Sequence, residues 1–395
     1  MRIVVAPDKF KDCLTAAEVA GAITAGLNFA NPKLQIDQCP IADGGEGTVD
    51  ALVTATGGRI IQHEVTGPLS RMKVDAPIGI LGSIAENGDN LTAVIEMSSA
   101  SGLQLLERDQ RDPTRTTTYG TGELLRKAAS LGVRKIILGL GGSATIDGGI
   151  GAAQAWGATF TLSSGSVYRE GGRRLTGGDL VHLRSITSTL PLETHGIEFI
   201  VACDVGNPLL GPDGAAPIFG PQKGATREQI DQLESGLVRL VEKTRMDHLA
   251  NRPGAGAAGG LGFGMMAFFN ANLRPGIEIV MDAVKLRERL SQADLCITGE
   301  GKLDSQSLSG KTTIGIARLC KQMKVPCIAL VGAVGQDFLG AEDEGLTSFF
   351  SICDGPMTLE QSMHSASDLL ARAAANLAAT LTAIKPKSTP RKRKN

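Results

Sequence analysis

Net charge and aromatic residues are both scarce in this chain. Its 395 residues carry a formal net charge of −1, and only 4% of them are aromatic. Proteins that bind DNA or RNA usually present a basic face, so the charge balance argues against a nucleic-acid partner. The chain instead contains 50 glycines. That number predicts many tight turns and close backbone approaches, which are typical of α/β enzymes with ligand loops at their strand ends.

Paired cysteines, clustered histidines and long apolar runs are missing as well. The seven cysteines are scattered without a C-x-x-C pair, and the five histidines show no zinc-binding spacing. No apolar run approaches the ~18 residues that a membrane-spanning helix needs, and the first residues contain too short an apolar run for a signal peptide. We therefore expect a cytoplasmic protein with reduced thiols, no zinc site and no membrane partner.

The length and the pattern of apolar residues predict two α/β domains, because 395 residues exceed what one hydrophobic core usually supports. Residues 3–6 predict a buried strand, and a capping box at residues 15–18 opens an amphipathic helix, as in the first part of a βαβ unit. From about residue 59 to residue 95, short alternating runs with turn signals predict antiparallel hairpins, where a second domain begins. The basic, proline-interrupted residues 385–395 predict a solvated tail.

Six of the twelve residues at positions 253–264 are glycine. Backbone with few Cβ atoms can bring its N–H groups close to an anion, and the start of a following helix favours negative charge. Gly254, Gly256, Gly259 and Gly260 are therefore candidates for contacts with a nucleotide. The same composition also arises where a loop is squeezed between two packed elements, and both interpretations stay open. A dinucleotide fingerprint is set aside here, because no strand directly precedes the stretch.

Acidic and hydroxyl side chains follow several predicted strands, at the positions where open α/β sheets bind ligands. Structural explanations also exist, since carboxylates complement helix dipoles, Asx-turns precede prolines and charged turns are common at surfaces. Asp204, with Asn207 three residues on, resembles the arrangement that holds Mg²⁺ on nucleotide phosphates, so Asp204 is a candidate metal ligand. The other candidates of this kind are Asp43, Ser143, Asp147, Glu300 and Asp304.

Arg111 and Lys311 are candidate cations for anionic groups. Arg111 begins a hydroxyl-rich segment that suits a small polyoxygenated substrate, although serine and threonine caps are also common without ligands. Residues 310–312 (GKT) imitate the end of a P-loop, but the Walker pattern requires glycine where this chain has Ser305. We therefore reject a true P-loop and keep Lys311 as a candidate phosphate contact.

Residues 139–144 match G-x-G-x-x-A between a predicted strand and a predicted helix, which is the context of a dinucleotide site. The acidic residue that would bind the ribose is missing about twenty residues on, which weighs against NAD. An NAD-dependent oxidoreductase of a small hydroxy acid stays as an alternative, and so does a sensor without turnover. The combination of glycines, carboxylates, lysines and hydroxyls, without a nucleophilic His or Cys arrangement, favours phosphoryl transfer to a small acceptor.

A series of motifs resembles the type-1 glycerate kinase family in order, over nearly the whole chain except the basic tail. The motifs are residues 6–11 (APDKFK), 42–48 (ADGGEGT), 67–69 (GPL), 111–113 (RDP), 120–123 (GTGE), 141–145 (GGSAT) with 147–149 (DGG), 202–205 (ACDV), 219–224 (FGPQKG), 253–260 (PGAGAAGG), and 298–301 (TGEG) with 304–307 (DSQS).

The resemblance implies a two-domain α/β kinase that transfers the γ-phosphoryl group of ATP, with Mg²⁺, to a hydroxyl of D-glycerate. The product would be 2-phosphoglycerate or 3-phosphoglycerate. Residues 1–62 and 288–384 would form a Rossmann/flavodoxin-like domain with a parallel sheet. Residues 63–287 would form an inserted mixed α/β domain with Gly-rich loops, the active-site cleft would lie between the domains, and residues 385–395 would be a disordered tail.

The same resemblance implies roles for the candidate residues. Lys11 and Lys311 would neutralise phosphate charge, and Arg111 would bind the glycerate carboxylate. Asp204 or Asp304 would hold Mg²⁺ or the acceptor hydroxyl. The remaining assignments are nucleotide binding by Ser143, Asp147 and the glycines at 254, 256, 259 and 260, and substrate binding by Asp43, Asn207 and Glu300.

Overall fold

The computed structural model describes residues 1–41, 47–82, 91–187, 196–304, 307, 312–335 and 343–383. Within these ranges the chain forms two compact units. The first contains the described residues of Met1–Asp43 and Met281–Asn395, and the second contains those of Gly44–Val280. Residues 47–62, which the resemblance assigned to the first domain, belong to the second unit, and residues 59–62 lie in a strand of its sheet. Residues 281–287, which the resemblance assigned to the inserted domain, belong to the first unit. The expected cleft stays a prediction, and the basic tail lies outside the described residues.

The helices and strands of the described residues are numbered here in chain order. The strands are β1 (Arg2–Val5), β2 (Gln35–Gln38), β3 (Arg59–Thr66), β4 (Lys73–Ile80), β5 (Thr92–Glu96), β6 (Lys135–Gly139), β7 (Thr159–Leu162), β8 (Val167–Tyr168), β9 (Leu183–Thr187), β10 (Glu198–Ala202), β11 (Asn272–Arg274), β12 (Leu295–Leu303), β13 (Cys327–Val334) and β14 (Ser348–Ser351). The α-helices are α1 (Ala16–Ala30), α2 (Thr48–Thr56), α3 (Ser98–Ser101), α4 (Tyr119–Ser130), α5 (Ile150–Trp156), α6 (Ala215–Phe219), α7 (Arg227–Thr244), α8 (Asp247–Ala250), α9 (Ala257–Phe269), α10 (Gly276–Ala283), α11 (Leu286–Leu290), α12 (Thr312–Met323), α13 (Leu359–His364) and α14 (Ala366–Ala383). None of these helices combines the length and the apolar character needed to cross a membrane.

A five-stranded parallel sheet forms the centre of the first unit. Its strand order is β14-β13-β12-β1-β2, and every neighbouring pair is parallel. Counted within the unit, this is the order 2-1-3-4-5 of flavodoxin-like folds, which confirms the predicted α/β class with a parallel sheet. Such sheets bind ligands where the strand order reverses, which here is between the carboxyl ends of β1 and β12.

Local sequence signals place the helices on this sheet. The hydroxyl of Thr15 accepts the N–H of Glu18 at 3.3 Å, and the Glu18 carboxylate accepts the N–H of Thr15 at 2.8 Å, so the predicted capping box starts α1. Gly26 lets α1 approach α14 closely, since a Cβ atom there would lie 2.0 Å from the carbonyl oxygen of Ala371. Apolar residues of both helices pack on β1, β12 and β13 in one core.

A six-stranded mixed sheet, in the order β11-β10-β6-β5-β4-β3, forms the centre of the second unit. Its first four strands are parallel, whereas β4 pairs antiparallel with both β5 and β3, as the sequence of residues 59–95 predicted. A smaller antiparallel sheet has the order β8-β7-β9. Trp156, Phe199 and Phe269 pack edge to face and join α5, β10 and α9. Because β6 and β10 are parallel neighbours, their carboxyl ends lie side by side.

Candidate active site

Each unit has a cavity at the carboxyl ends of its parallel strands. In the first unit, a cavity of about 420 Å³ adjoins the ends of β1, β12 and β13. In the second unit, a cavity of about 320 Å³ adjoins the ends of β6 and β10. Both positions follow the rule that open α/β sheets bind ligands beyond the carboxyl ends of their strands.

Four acidic side chains line the first cavity, and three of them, Asp8, Glu300 and Asp304, interact with one another. The pairing of β1 with β12 continues beyond the end of β1, since the N–H of Asp8 donates to the carbonyl of Gly299 at 2.8 Å. This bond brings Asp8 next to Glu300. Lys11 lines the same cavity from the loop after β1. The structure thus brings three predicted residues, Lys11, Glu300 and Asp304, to one cavity and adds Asp8.

Hydroxyl groups hold two of these carboxylates. Ser307 Oγ donates to Glu300 Oε2 at 3.1 Å, and Thr312 Oγ1 donates to Asp8 Oδ2 at 2.5 Å. Thr312 is the first residue of α12, so the start of this helix is tied to the end of β1. The carboxylates therefore keep defined positions on the cavity wall, as a catalytic group requires.

Glu300 is the carboxyl group that the surroundings perturb most clearly in this cavity. Its burial raises its pKa to about 7. The hydrogen bond from Ser307 and the nearby hydroxyl of Thr313 oppose the rise in pKa, and the negative charges of Asp8 and Asp304 add to it. This carboxyl can therefore gain or lose a proton near neutral pH, where a general base is most effective.

Lys223 is a buried cation next to the lining of the second cavity that the sequence analysis did not select. Its side chain is only 2% exposed, and Nζ donates to Ser143 Oγ and to the carbonyl of Thr145, each at 2.7 Å. Burial lowers the pKa of Lys223 to about 7, and the negative charge of Asp147 opposes that change. Ser143 in turn lines the cavity. Lys223 therefore fixes a hydroxyl group on the wall of the second cavity.

Asp147 is fully enclosed by the protein. Its Oδ2 accepts the N–H and the hydroxyl of Thr118, each at 2.8 Å, and the N–H of Gly151 at 3.3 Å. Its Oδ1 accepts the N–H of Gly149 at 3.0 Å. Burial raises the pKa of Asp147, and these hydrogen bonds oppose the rise. The four bonds give Asp147 a structural role at the start of α5, and its contact with a nucleotide stays a prediction.

The glycines of residues 253–264 pack against backbone of the second unit. A Cβ atom on Gly256 would lie 2.1 Å from the carbonyl oxygen of Pro208, and one on Gly259 would lie 1.9 Å from that of Thr145. The N–H groups of Gly256 and Gly260 donate to protein carbonyls, at 3.0 and 3.2 Å. This packing explains the glycines as a loop squeezed between packed elements, the second of the two sequence interpretations. Their phosphate contacts stay a prediction.

Gly254 and the start of α9 complete this stretch. Gly254 has a φ of +86°, and Gly259 and Gly260 also have positive φ, as does Ala258. The stretch therefore kinks before the regular part of α9 begins, and a β-branched residue at these positions would be strained. Ala257 and Ala258 line the second cavity. The stretch thus reaches this cavity through its alanines.

Asp204, Asn207 and Arg111 lie in the second unit. Asp204 lines the second cavity, and its Oδ1 accepts the N–H of Gly276 at 2.8 Å, at the first residue of α10. The side-chain amide of Asn207 donates to the carbonyl of Asp213 at 2.9 Å. Arg111 packs against Gly224 in the turn that follows α6, where a Cβ atom on Gly224 would be 2.4 Å from the Arg111 carbonyl oxygen. Asp204 therefore caps a helix and faces a cavity at once.

Two predicted residues, Asp43 and Lys311, lie outside the described residues. Two residues that the structure adds, Asp8 and Lys223, were not selected from the sequence. Both belong to motifs that carry the family resemblance, residues 6–11 and 219–224, which was the available signal. Their importance depends on contacts with residues far along the chain, such as Thr312 and Ser143.

The fold and the side chains at its strand ends are those of an α/β phosphotransferase. Parallel sheets carry carboxylates, lysines and hydroxyls at their carboxyl ends, which suits a reaction that depends on positioning and charge. The model of the glycerate kinase family matches residues 3–382. The chain therefore belongs to the glycerate kinase family, and it is an enzyme of the kinase class.

Individual relatives agree with this family. The chain is 44% identical to the glycerate kinase of Bacillus subtilis strain 168, over 98% of the chain and 99% of that protein. It is also 44% identical to the glycerate 2-kinase of Escherichia coli strain K12, over 96% and 98% respectively. A solved structure from Salmonella typhimurium LT2 has a TM-score of 0.85 at 44% identity and covers 97% of the chain and 98% of its own.

Proposed function

We propose that this enzyme transfers the γ-phosphoryl group of ATP to a hydroxyl of D-glycerate, with Mg²⁺ as the metal. The observation that carries the proposal is the cluster of Asp8, Glu300 and Asp304, with Lys11, around an open cavity at the strand-order reversal. The near full-length similarity to glycerate kinases supports D-glycerate as the acceptor. The cavity of about 420 Å³ has room for part of a nucleotide beside a three-carbon acid.

Glu300 is the proposed base for the acceptor hydroxyl. A carboxyl with a pKa of about 7 is half ionised near neutral pH, so it can accept the hydroxyl proton as the new O–P bond forms. Ser307 holds the orientation of this carboxyl through its hydrogen bond. Lys11 would neutralise phosphate charge, and its exposed position on the cavity wall leaves its ammonium within reach of a ligand.

The carboxylates of the first cavity fit a Mg²⁺ ion. Mg²⁺ prefers oxygen ligands and is commonly held by one or two carboxylates together with substrate phosphates. The negative charges of Asp8 and Asp304 raise the pKa of Glu300, so a cation at this place would relieve their repulsion. We infer that Asp304 and Asp8 would hold the ion, with Asp204 as the second candidate. When bound, Mg²⁺ would neutralise charge on the ATP phosphates.

The second unit supplies the proposed remaining contacts. Lys223 holds Ser143 on the wall of the second cavity, where that hydroxyl can donate to an anionic ligand. Arg111 stays the proposed partner of the glycerate carboxylate, and Asn207, Asp43 and Lys311 keep the ligand contacts that the family resemblance implies. Asp147 and the four glycines of residues 253–264 would then act on the nucleotide by shaping the loops rather than by direct contact.

The proposed product is 2-phosphoglycerate, because the similar Escherichia coli enzyme carries the name glycerate 2-kinase. The test is ³¹P NMR of the purified enzyme with D-glycerate, ATP and Mg²⁺. A 2-phosphoglycerate resonance that appears together with ADP supports the reaction and its position. A 3-phosphoglycerate resonance keeps the kinase and corrects the position.

Two other results would change the proposal further. Formation of ADP without either phosphoglycerate would identify a different acceptor. No ADP with any tested acceptor would contradict the kinase activity, and nicotinamide binding detected by fluorescence would then favour the oxidoreductase alternative.

A folded Asp204→Asn variant with full activity would remove Asp204 from the mechanism. Cytoplasmic location stays a prediction.

A further inference from the structure

Three cysteine side chains meet in the core of the first unit. Cys296 lies on β12, Cys320 on α12 and Cys327 at the start of β13, and all three are fully buried. Cys296 and Cys327 are direct partners in the parallel ladder. Glu300 is four residues further along β12, which corresponds to about 13 Å in an extended strand. The thiols are therefore separate from the carboxylates of the first cavity.

The sulfur atoms of these cysteines are close enough to share one ion. All three Sγ atoms lie within 4.8 Å of one another. An ion bound to three sulfurs in a plane at about 2.3 Å, the length of zinc–thiolate bonds, would separate the sulfurs by about 4.0 Å. The observed spacing therefore accommodates a trigonal ion with side-chain shifts of less than about 1 Å.

The number and the softness of the ligands distinguish between thiophilic ions. Among the described residues, no other His, Cys, Asp or Glu joins the group, whereas structural zinc sites have four ligands. Thiolate sulfur is a soft ligand that favours Cu(I). When Cu(I) binds, the thiols that ligate it lose their protons to the solvent, because the thiolate is the metal ligand.

We propose that Cys296, Cys320 and Cys327 form a binding site for a single Cu(I) ion. The bound ion joins β12, β13 and α12, which are also the elements that carry Glu300 and Thr312 at the first cavity. The site is independent of the proposed kinase reaction. The competing explanation is that three buried thiols serve only as small apolar core side chains.

The test is a competition titration of the reduced, full-length protein with Cu(I) held by the coloured chelator bicinchoninate, without oxygen. Uptake is followed to a constant reading, because a closed site admits an ion only when the core opens locally. We expect the wild type to withdraw one equivalent of copper with a Kd at least about 100-fold lower than that of Cys320→Ala, which lacks one of three ligands. The matched control is Cys39→Ala, which removes a buried thiol of the same unit outside the triad and should keep this equivalent.

X-ray absorption at the copper edge of the wild-type complex provides a result that does not depend on the folding of a variant. Three sulfur neighbours at about 2.3 Å would support the site. Fewer sulfur neighbours, or nitrogen and oxygen neighbours, would place the ion elsewhere and overturn the proposal. Equal copper affinities for the wild type and a folded Cys320→Ala variant would overturn it as well, and so would a wild type that withdraws no copper.

Discussion

Glu300 and Asp147 occupy similar places in the sequence and different environments in the structure. Both are acids among glycines that follow a strand predicted from the sequence, and both were predicted as ligand contacts. Asp147 is completely buried and accepts four hydrogen bonds from Thr118, Gly149 and Gly151. Glu300 lines an open cavity, and a single hydroxyl, that of Ser307, is seen to donate to its Oε2 among the described residues.

The comparison shows what separates a structural carboxylate from a catalytic one. Backbone N–H groups that converge on Asp147 occupy its oxygens, so this carboxylate stabilises the turn into α5. Few protein donors face Glu300, and its neighbours include other acids, so its charge is poorly balanced without a ligand. The sequence context of glycines after a predicted strand is common to both residues, and the hydrogen-bond partners decide the role.

The substitution with the largest expected effect is Glu300→Gln. The amide keeps the shape of the side chain but cannot accept the proton of the acceptor hydroxyl, so we expect kcat to fall by about 10³-fold. Stability should not fall, because the change removes a carboxyl that Asp8 and Asp304 repel. Steady-state kinetics and urea unfolding measure the two effects. The matched control is Glu64→Gln at an exposed glutamate, and near wild-type kcat in folded Glu300→Gln would remove Glu300 as the base.

Asp147→Ala should mainly reduce stability, whereas Glu300→Gln should mainly reduce activity. Removal of this carboxylate leaves buried backbone donors of Gly149 and Gly151 without their partner, so we expect the free energy of unfolding to fall by about 3 kcal/mol. The activity of the molecules that remain folded should fall much less than in Glu300→Gln. Urea unfolding measures the loss of stability, and an activity assay at urea concentrations below the unfolding transition measures the activity of the folded molecules. An Asp147→Ala protein of normal stability that has lost its activity would show that Asp147 acts in ligand binding or catalysis and not in stabilising the fold.

The parallel α/β class and the positions of the loops at the carboxyl ends of the strands were predictable from the sequence, because they depend on local signals. The capping box at Thr15, the apolar runs of β1 and β12, and the glycines after each strand mark these features directly. Asp8 and Lys223 were not selected because their roles depend on Thr312 and Ser143, which are distant in the chain. Propensity and spacing carry no information about such contacts.

The glycines of residues 253–264 illustrate a second limit of prediction from the sequence. Their composition indicates that something approaches the backbone closely, but a phosphate and a protein carbonyl require the same absence of a Cβ atom. In the structure, carbonyl oxygens of Pro208 and Thr145 lie at the positions where Cβ atoms of Gly256 and Gly259 would be. The close approach was therefore predictable, and the identity of the approaching group was not.

Gly256→Ala tests whether a protein carbonyl or a phosphate group requires glycine at this position. The new Cβ atom would lie 2.1 Å from the Pro208 carbonyl oxygen, so backbone must shift, and we expect a loss of about 2 kcal/mol in the free energy of unfolding. The control is Gly206→Ala, where nothing lies within 4 Å of the new atom, with an expected change within about 0.5 kcal/mol. If Gly256→Ala raised the KM for ATP at normal stability, the phosphate interpretation would be restored.

The smallest expected effect concerns the pH dependence that Lys223 gives to stability. Burial favours its neutral amine, so the native state binds fewer protons than the unfolded chain between the native pKa of about 7 and the unfolded value of 10.5. The stability of the wild type relative to Lys223→Met should therefore rise with pH in this window, by about 1 kcal/mol between pH 7 and pH 8. Below pH 7 both states hold the proton, and the difference between the proteins should level off. Urea unfolding of both proteins at pH 6, 7 and 8 measures this, and comparison of the two cancels the other titrating groups. A difference that does not change with pH would show that Lys223 keeps its charge when buried, with the hydrogen bonds to Ser143 and Thr145 offsetting its desolvation.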